Sequence, residues 1–579
     1  MRTRLSILGD IIHSAPIFVG SPAFNYPDTL ESVPYTNFRT THANRTPMIY
    51  VGANDGMLHG IDASLGTDGG MEKLAYVPSA VFSRLNELTS PNYGGAIPHR
   101  YFVDGDVTAG DAFFSGAWHT VLVGSLRGGG QGIFALDVTD PSSFSEAAAD
   151  NIVLWEFTDA DDSDLGFTFS RPAIVKLNNG KWAAVFGNGY NNTEPDTHVS
   201  SSGNAVLYIV DLETGTLIKK FDTKKGTSAD PSGSGRANGL ATPAPVDVNA
   251  DYQVDYIYAG DLFGNLWKID VTDTNPAAWD FAYYDAGKPQ PLFQAKDSGG
   301  TPQPITTRPE VGKHPEHDGY LIYFGTGKYL ENGIDNDPAG AQTQTFYAIW
   351  DKNDTSMTTA DRSSWGRDHL LRQCVIKEVS QFGRELRVST DYSIQWHTGT
   401  GLPSAAVGST PSYCPEPTPG ATHLGWYLDL VNLAEGSNTD NYGEKQVTNP
   451  ILRNGKIIFT TLLPSDNPCD YGGTGWLMEL DAFDGGRLPF SPFDLTGDDQ
   501  FDQNDFVDAG DLDGDGDSDK VPSSGLKSKV GILSRPSILE DSNPTRELKY
   551  ASGSTGNIEN VTEHRGENAT GRMSWRQIQ

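Results

Sequence analysis

The feature of this 579-residue chain that most constrains its fold is a short unit that recurs along most of its length. In each copy an apolar run ends in Gly, a turn follows, and a second apolar run ends in Asp. Short β-branched and aromatic runs separated by Gly-containing turns are typical of β-hairpins. About seven copies occur, of which the sixth lacks the Gly and the seventh lacks the final Asp. The copies are Ile49–Gly52 with Met57–Asp62, Val121–Gly124 with Gly132–Asp137, Ala184–Gly187 with Val206–Asp211, Tyr256–Gly260 with Gly264–Asp270, Leu321–Gly325 with Phe346–Asp351, Ile457–Phe459 with Trp476–Asp481, and Leu548–Ala551 with Gly556–Ile558.

A hairpin repeated at a regular interval predicts an all-β propeller or solenoid. The final Asp residues of the first five copies stand at positions 62, 137, 211, 270 and 351, so neighbouring copies are 59 to 81 residues apart. This interval is long enough for a four-stranded propeller blade with its connections. Apolar residues follow a helical period only near 80–88, so helices should be few and short. We therefore predict that residues 1–579 form an all-β propeller.

One stretch of the chain is too long for a single blade. The region of about 351–455 is therefore predicted to be a loop-rich insertion, and it holds two of the three cysteines, Cys374 and Cys414. At most one disulfide bond can form, and these two are the better pair, which leaves Cys469 free. The sequence does not fix this connectivity, and three reduced thiols are the alternative.

The charge of the chain restricts its partners. Lys and Arg number 42 against 75 Asp and Glu, which gives 42 − 75 = −33. So acidic a chain is not expected to bind nucleic acid through its phosphates, and cations or proteins are favoured instead. No run of 18 apolar residues occurs, so no membrane-spanning helix is expected. Residues 1–16 lack the pattern of a signal peptide, so residue 1 is interpreted as an artificial or internal start, with any export signal upstream.

Three acidic segments share one spacing of oxygen donors and are named here in chain order. Ca²⁺ takes six to eight oxygen ligands, and a tightly wound loop supplies them from alternate residues, with a backbone carbonyl at position 7. None of the segments has the Glu at position 12 that closes an EF-hand, so the residue at position 9 is predicted to close each loop. In the second loop position 12 is Asp505, so a longer loop closed by that residue is an alternative. The predicted ligands are Asp247, Asn249, Asp251, Gln253 and Asp255 in the first loop (247–255), Asp494, Asp498 and Asp502 in the second (494–502), and Asp511, Asp513, Asp515, Asp517 and Asp519 in the third (511–519).

The alternative interpretation of each segment is a solvated acidic turn, since Asp and Asn are ordinary turn residues. The crowding of aspartate charges favours bound cations at the second and third loops. Residues 494–519, an acidic calcium-binding-like segment, contain eleven Asp and no Lys or Arg. So many like charges repel one another unless cations bind. The acidic turn at 159–164 fails the spacing and is interpreted as an ordinary turn.

Enzymatic motifs are scarce in this sequence. It contains neither a GxSxG nucleophile elbow nor an HExxH zinc motif. Quinoprotein dehydrogenases are propellers with turns like that at Asp211–Gly215, and those that use pyrroloquinoline quinone often stack it on a disulfide between adjacent cysteines. No adjacent cysteines occur here. A non-enzymatic protein is therefore predicted, with a quinoprotein-like dehydrogenase and a calcium-dependent propeller lectin as the alternatives.

Several longer strings resemble one family. They are GDIIHSAP at 9–16, YVGANDGMLH at 50–59, AYVP at 75–78, YFVDGD at 101–106, SDNPC with GGT at 465–474, and SWRQ at 574–577. They are similar to the C-terminal region of PilY-type proteins, the pilus biogenesis and tip-adhesin family of type IV pili. The resemblance runs through nearly the whole chain and is weakest over about 351–450.

This resemblance implies a modified seven-bladed propeller with quinoprotein-like blades, at the C-terminus of a larger exported protein. It implies a location at the pilus tip or cell surface, outer-membrane associated or periplasmic, with pilins and minor pilins as partners and adhesion to host or abiotic surfaces. It also implies that Ca²⁺ in the first loop regulates pilus extension against retraction, and hence twitching motility and virulence. The Arg-Gly-Asp motif of the family is absent, so direct integrin binding is not expected.

Overall fold

The computed structural model describes residues 8–330, 342–354, 357–404, 414, 416–432, 443–465, 467–512 and 514–566. The Asp513 predicted as a ligand lies outside these residues. The chain divides into two compact units. Among the described residues, the first unit consists of those up to Asp261 with Trp267–Gln290, and the second consists of Leu262–Leu266 with those from Pro291 onward.

Strands dominate the described residues up to 290. They are β1 (Ile17–Val19), β2 (Met48–Gly52), β3 (Leu58–Asp62), β4 (Glu72–Tyr76), β5 (Val107–Phe114), β6 (Ala117–Ser125), β7 (Gly132–Asp137), β8 (Val153–Thr158), β9 (Ala173–Leu177), β10 (Trp182–Gly187), β11 (Val206–Asp211), β12 (Leu217–Asp222), β13 (Ala244–Val246), β14 (Gln253–Val254), β15 (Tyr256–Gly260), β16 (Asn265–Asp270), β17 (Asp280–Phe281), β18 (Tyr284–Asp285) and β19 (Lys288–Pro289).

Strands also dominate the described residues after 290. They are β20 (Phe293–Gln294), β21 (Glu310–Lys313), β22 (Tyr320–Gly325), β23 (Thr345–Asp351), β24 (Leu371–Gln381), β25 (Arg384–Ser389), β26 (Gly425–Asn432), β27 (Ile451–Arg453), β28 (Lys456–Thr460), β29 (Leu463–Pro464), β30 (Gly473–Thr474), β31 (Trp476–Asp481), β32 (Val507–Asp508), β33 (Lys520–Val521), β34 (Gly525–Lys527), β35 (Ser537–Glu540), β36 (Arg546–Ser552) and β37 (Ile558–His564).

The helices are few and short, as the sequence predicts. The segment near 80–88 with a helical apolar period forms a 3₁₀ helix, Ser79–Thr89. The α-helices are α1 (Tyr35–Thr41), α2 (Ala149–Ile152) and α3 (Thr359–Ser364). The other 3₁₀ turns are Arg127–Gly129, Pro141–Ser143, Glu146–Ala148, Thr227–Ala229, Pro276–Ala278, Arg367–His369, Pro468–Asp470 and Gln503–Asp505. In the part of the chain described, no helix has the length and apolar character that crossing a membrane requires.

All seven predicted strand pairs form as neighbours in a sheet: β2–β3, β6–β7, β10–β11, β15–β16, β22–β23, β28–β31 and β36–β37. The Asp that ends a copy has a local role. In the first six copies its carboxylate accepts a hydrogen bond of 2.7–3.1 Å from the backbone N–H two residues later. This Asx turn ends the strand, which explains why Asp recurs at that position.

The first unit contains four successive sheets. Their strand orders are β1-β2-β3-β4, β5-β6-β7-β8, β12-β11-β10-β9 with β14 added beside β9, and β13-β15-β16-β17. Neighbouring sheets pack face to face. In β6, Leu122 packs in a cluster with Tyr50 of the preceding sheet, whereas Val121 and Val123 pack with Phe186 of the following one. Burial on both faces explains why these strands are continuous apolar runs without alternation.

The second unit contains a ten-stranded sheet of order β21-β22-β23-β26-β24-β25-β34-β31-β28-β27 and a three-stranded sheet, β35-β36-β37. The pairs β29-β30 and β32-β33 form small hairpins in this unit, as β18-β19 does in the first unit. The described residues of the region predicted as an insertion include the helix α3 and the strands β24–β26. These three strands belong to the ten-stranded sheet. Cys374 and Cys414 form a disulfide bond and Cys469 is free and exposed, which confirms the favoured pairing.

Candidate metal sites

The three acidic loops share one backbone conformation. In each loop the residues at positions 4 and 6 have positive φ, the left-handed region that side chains other than Gly rarely adopt. A single spacing of Asp residues therefore corresponds to a single way of winding the chain. The φ values are 64° and 71° at Ala250 and Tyr252, 77° and 60° at Gly497 and Asp499, and 81° and 94° at Gly514 and Gly516.

The carboxylate at position 1 holds this conformation. It accepts hydrogen bonds from the backbone N–H groups of positions 4 and 6 in every loop. The distances are 2.7 and 2.9 Å at Asp247, 2.7 and 3.0 Å at Asp494, and 2.6 and 3.0 Å at Asp511. In calcium loops, a winding of this kind lets alternate residues point their oxygens toward one centre.

A later carboxylate closes each loop by accepting the N–H of position 2. In the first and third loops it belongs to position 9: Val248 donates to Asp255 at 2.9 Å, and Leu512 donates to Asp519 at 2.8 Å. In the second loop it belongs to position 12, where Leu495 donates to Asp505 at 2.8 Å. The second loop is thus closed over 494–505, the longer form that the sequence left open.

The first loop connects two neighbouring sheets. It begins after β13 in one sheet, and at its end β14 pairs in parallel with β9 of the preceding sheet. The Asn178 side chain, which follows β9, donates to the carbonyl of Val254 at 2.8 Å and to that of Val271 at 3.1 Å. The end of the loop therefore forms part of the join between the two sheets.

The electrostatics of the first loop suit a cation. Asp255 is only 5% exposed. Burial raises the pKa of its carboxyl group, the Val248 N–H lowers it, and the charges of Asp251 and Asp247 raise it again. Among the described residues, no Lys, Arg or His forms an ion pair with these three aspartates. With the amide of Asn249 they offer only oxygen donors, the kind of ligand that Ca²⁺ takes. The ligand atoms of these three carboxylates do not all lie within 4.8 Å of one another, as those in the second loop do.

Tyr252 at position 6 departs from the Gly that sharp calcium loops prefer, and the structure gives a reason. Its hydroxyl donates to the carbonyl of Asn25 at 3.1 Å, and its ring meets that of Tyr26 edge-on at 5.8 Å. Tyr26 in turn stacks on Trp118 at 5.4 Å. These contacts hold the side chain in place despite its left-handed backbone.

The second loop is the one place among the described residues where three acidic or other metal-ligating side chains bring their ligand atoms within 4.8 Å of one another. The three are Asp494, Asp498 and Asp505. Of the predicted ligands, Asp494 and Asp498 are thus brought together and Asp502 is not. The Asp502 carboxylate caps the 3₁₀ helix Gln503–Asp505 by accepting the N–H of Asn504 at 2.8 Å.

The third loop is the most exposed of the three. The Asp515 carboxylate accepts the N–H of Asp517 at 2.9 Å, and Ser518 donates to Asp508 beside the loop. Glycines at positions 4 and 6 allow this winding without strain. Ligation by Asp511, Asp515, Asp517 and Asp519 stays a prediction.

The acidic turn at 159–164 shows what an ordinary acidic cluster looks like in this protein. Lys220 lies 2.7 Å from both Asp162 and Asp164, so a lysine ammonium neutralises the two carboxylates. Tyr208 also donates to Asp162 at 3.1 Å. This agrees with the interpretation of the segment as an ordinary turn.

Comparisons with known proteins agree on one family. A family model described as the PilY1 beta-propeller domain matches residues 8–382. The type IV pilus biogenesis factor PilY1 of Pseudomonas aeruginosa is 38% identical over 516 residues, covering 86% of this chain and 40% of the relative. A PilY1 homologue of Xylella fastidiosa is 38% identical over 500 residues, covering 84% and 30%. The crystal structure of the P. aeruginosa PilY1 C-terminal domain matches with a TM-score of 0.69 and 32% identity, covering 95% of this chain and 99% of that one.

These matches establish an all-β propeller fold, and the number of blades stays a prediction. The chain spans about two fifths of the length of the P. aeruginosa relatives and 30% of that of the X. fastidiosa relative.

Proposed function

Because this chain belongs to the PilY1 β-propeller family, we propose that it is the propeller region of a calcium-responsive type IV pilus biogenesis factor. In this proposal Ca²⁺ binds the first loop and its occupancy shifts the balance between pilus extension and retraction. The protein is exported, acts at the pilus tip or cell surface, and contacts pilins and minor pilins. Twitching motility and adhesion to surfaces depend on that balance.

The observation that carries the proposal is the position of the first loop between two sheets, with a buried Asp255 that has no cationic partner among the described residues. Asp247, Asn249, Asp251 and Asp255 would hold the ion through side-chain oxygens, and Gln253 through its backbone carbonyl. Bound Ca²⁺ supplies two positive charges that offset the repulsion among three carboxylates. Because β14 pairs with β9 at the end of the loop, that repulsion acts on the join between two sheets.

Two other functions make different predictions. A quinoprotein-like dehydrogenase would reduce a dye only with added quinone and Ca²⁺, and turnover of that kind would overturn the non-enzymatic proposal. A propeller lectin would bind glycans saturably and only with Ca²⁺. We expect neither activity in the purified chain.

Calcium is expected to raise the melting temperature of the protein more than magnesium at equal concentration. A ligand that binds only the folded state stabilises it by about 2.7 kcal/mol at a hundredfold excess over its Kd. Magnesium should do less because it requires a small octahedral site, which loops of this length form only with strain. Differential scanning calorimetry of metal-free protein tests this, and equal shifts from both metals would contradict it.

A further inference from the structure

We propose that residues 494–505 form a calcium site of their own, closed by Asp505 at position 12 and not by Asp502 at position 9. This site lies in the second unit and is separate from the first loop, so either proposal can fail without the other.

Asp505 is the residue that distinguishes this site from an ordinary acidic turn. It is fully buried, although Asp498 and Asp502 in the same segment are exposed. One carboxylate oxygen, Oδ1, accepts the N–H groups of Leu495 and Thr496 at 2.8 and 2.9 Å. The other, Oδ2, is buried and has no hydrogen-bond partner among the described residues. A buried carboxylate oxygen without a partner is costly unless a proton or a cation neutralises it.

The neighbouring residues favour a cation. The carboxylates of Asp494 and Asp498 lie within 4.8 Å of that of Asp505. None of these three aspartates forms an ion pair in the part of the chain described, and the nearby Arg546 pairs with Asp499 and Asp541 instead. Three carboxylates that converge without a lysine or arginine fit a hard divalent cation with oxygen ligands.

The spacing of these carboxylates along the chain favours Ca²⁺ as the bound cation. Asp494, Asp498 and Asp505 stand at positions 1, 5 and 12, where an EF-hand loop carries carboxylate ligands. Position 7, Gln500, supplies a backbone carbonyl in such a loop. At Asp505 the unpartnered Oδ2 would bind the ion, because Oδ1 already accepts two backbone N–H groups. The loop offers further oxygens from Asp494, Asp498 and Gln500, which suits the high coordination number of Ca²⁺ better than that of Mg²⁺.

The site is placed to fasten the three-stranded sheet of the second unit. The N–H of Asp494 donates to the carbonyl of Thr562 in β37 at 3.2 Å. Phe493, just before the loop, bridges to Glu563 in the same strand. Asp499 pairs with Arg546 of β36. An ion in this loop would therefore hold β36 and β37 in place.

The test counts bound calcium by equilibrium dialysis and elemental analysis of the 579-residue chain. We expect Asp505→Asn to lose one Ca²⁺ per chain relative to the unsubstituted protein. Asp498→Asn should lose the same ion, and because Asp498 is exposed this variant should fold even if Asp505→Asn does not. Asp502→Asn, an exposed aspartate of the same loop, is the matched control and should keep the full count.

Two results would overturn the proposal. If Asp498→Asn and any folded Asp505→Asn keep the full count, a proton and not calcium neutralises Asp505. If Asp502→Asn loses one ion while Asp505→Asn keeps it, the loop closes at position 9. A melting curve of each variant without calcium shows that it is folded.

Discussion

Replacing Lys549 by methionine is expected to destabilise the second unit by about 3–5 kcal/mol, because it leaves buried glutamates with too little positive charge. Lys549 lies 2.5 Å from Glu479 and 3.4 Å from Glu547, and it also pairs with Glu563. All four side chains are at most 1% exposed. Calorimetric unfolding of the variant measures the loss.

This cluster joins two sheets. Lys456 of β28 lies 2.8 Å from Glu479 of β31, whereas Glu547 and Lys549 belong to β36. Arg453 contacts Glu547 at 2.7 Å and completes a balance of three positive and three negative charges. Burial raises the pKa of Glu479, but Lys456 and Lys549 lower it by more, so the carboxyl stays ionised. Removing one partner of such a group costs far more than the group as a whole contributes.

Lys527 provides the matched control for this prediction. It forms a 3.2 Å ion pair with Glu385 in which both side chains are partly exposed. Lys527→Met should therefore cost less than about 1 kcal/mol. Adding Glu563→Gln to Lys549→Met restores the charge balance and should recover part of the loss. Equal costs for the two lysine variants would show that burial of the cluster does not matter.

Asp255→Ala is expected to abolish calcium binding at the first loop while the fold survives. The substitution removes the closing carboxylate, which supplies up to two oxygens and a negative charge. Cells that carry this change in the full-length protein should extend or retract their pili abnormally. Asp255→Lys should behave more like the calcium-bound protein, because its ammonium places a positive charge where the ion would lie. Twitching motility and calcium binding by the purified variants are the measurements.

The control for Asp255 is Asp140→Ala. Asp140 is an exposed turn aspartate of the same unit that caps a 3₁₀ helix, and its loss should leave calcium binding and motility unchanged. Normal twitching by both Asp255 variants, with calcium binding shown to be lost in Asp255→Ala, would make the first loop a structural feature without a regulatory role.

The sequence predicts the parts of this fold that depend on local signals. Each strand pair is marked by residues within a few positions of its ends, such as the Asp62 carboxylate that binds the N–H of Ser64. The winding of the loops is local as well, since the carboxylate of Asp247 binds N–H groups only three and five residues away. Such contacts need no knowledge of the rest of the chain.

What the sequence does not predict comes from contacts between distant segments. The pairing of β14 with β9 joins residues about 77 positions apart. Burial decides that Asp505 closes the second loop, and burial depends on the core around Phe493 and Val507. The charged cluster around Lys549 comes from five strands, and none of its residues is unusual in its own segment. A signal for Asp505 did exist, because it occupies position 12 of the EF-hand spacing.

The most direct test of the central claim is isothermal titration calorimetry of the metal-free 579-residue chain with Ca²⁺ and with Mg²⁺. We predict saturable calcium binding with at least two ions per chain, one lost in Asp255→Ala and another in Asp498→Asn, and weaker binding of magnesium. Absence of saturable calcium binding, or an unchanged number of ions in both variants, would contradict the claim that these acidic loops are calcium sites.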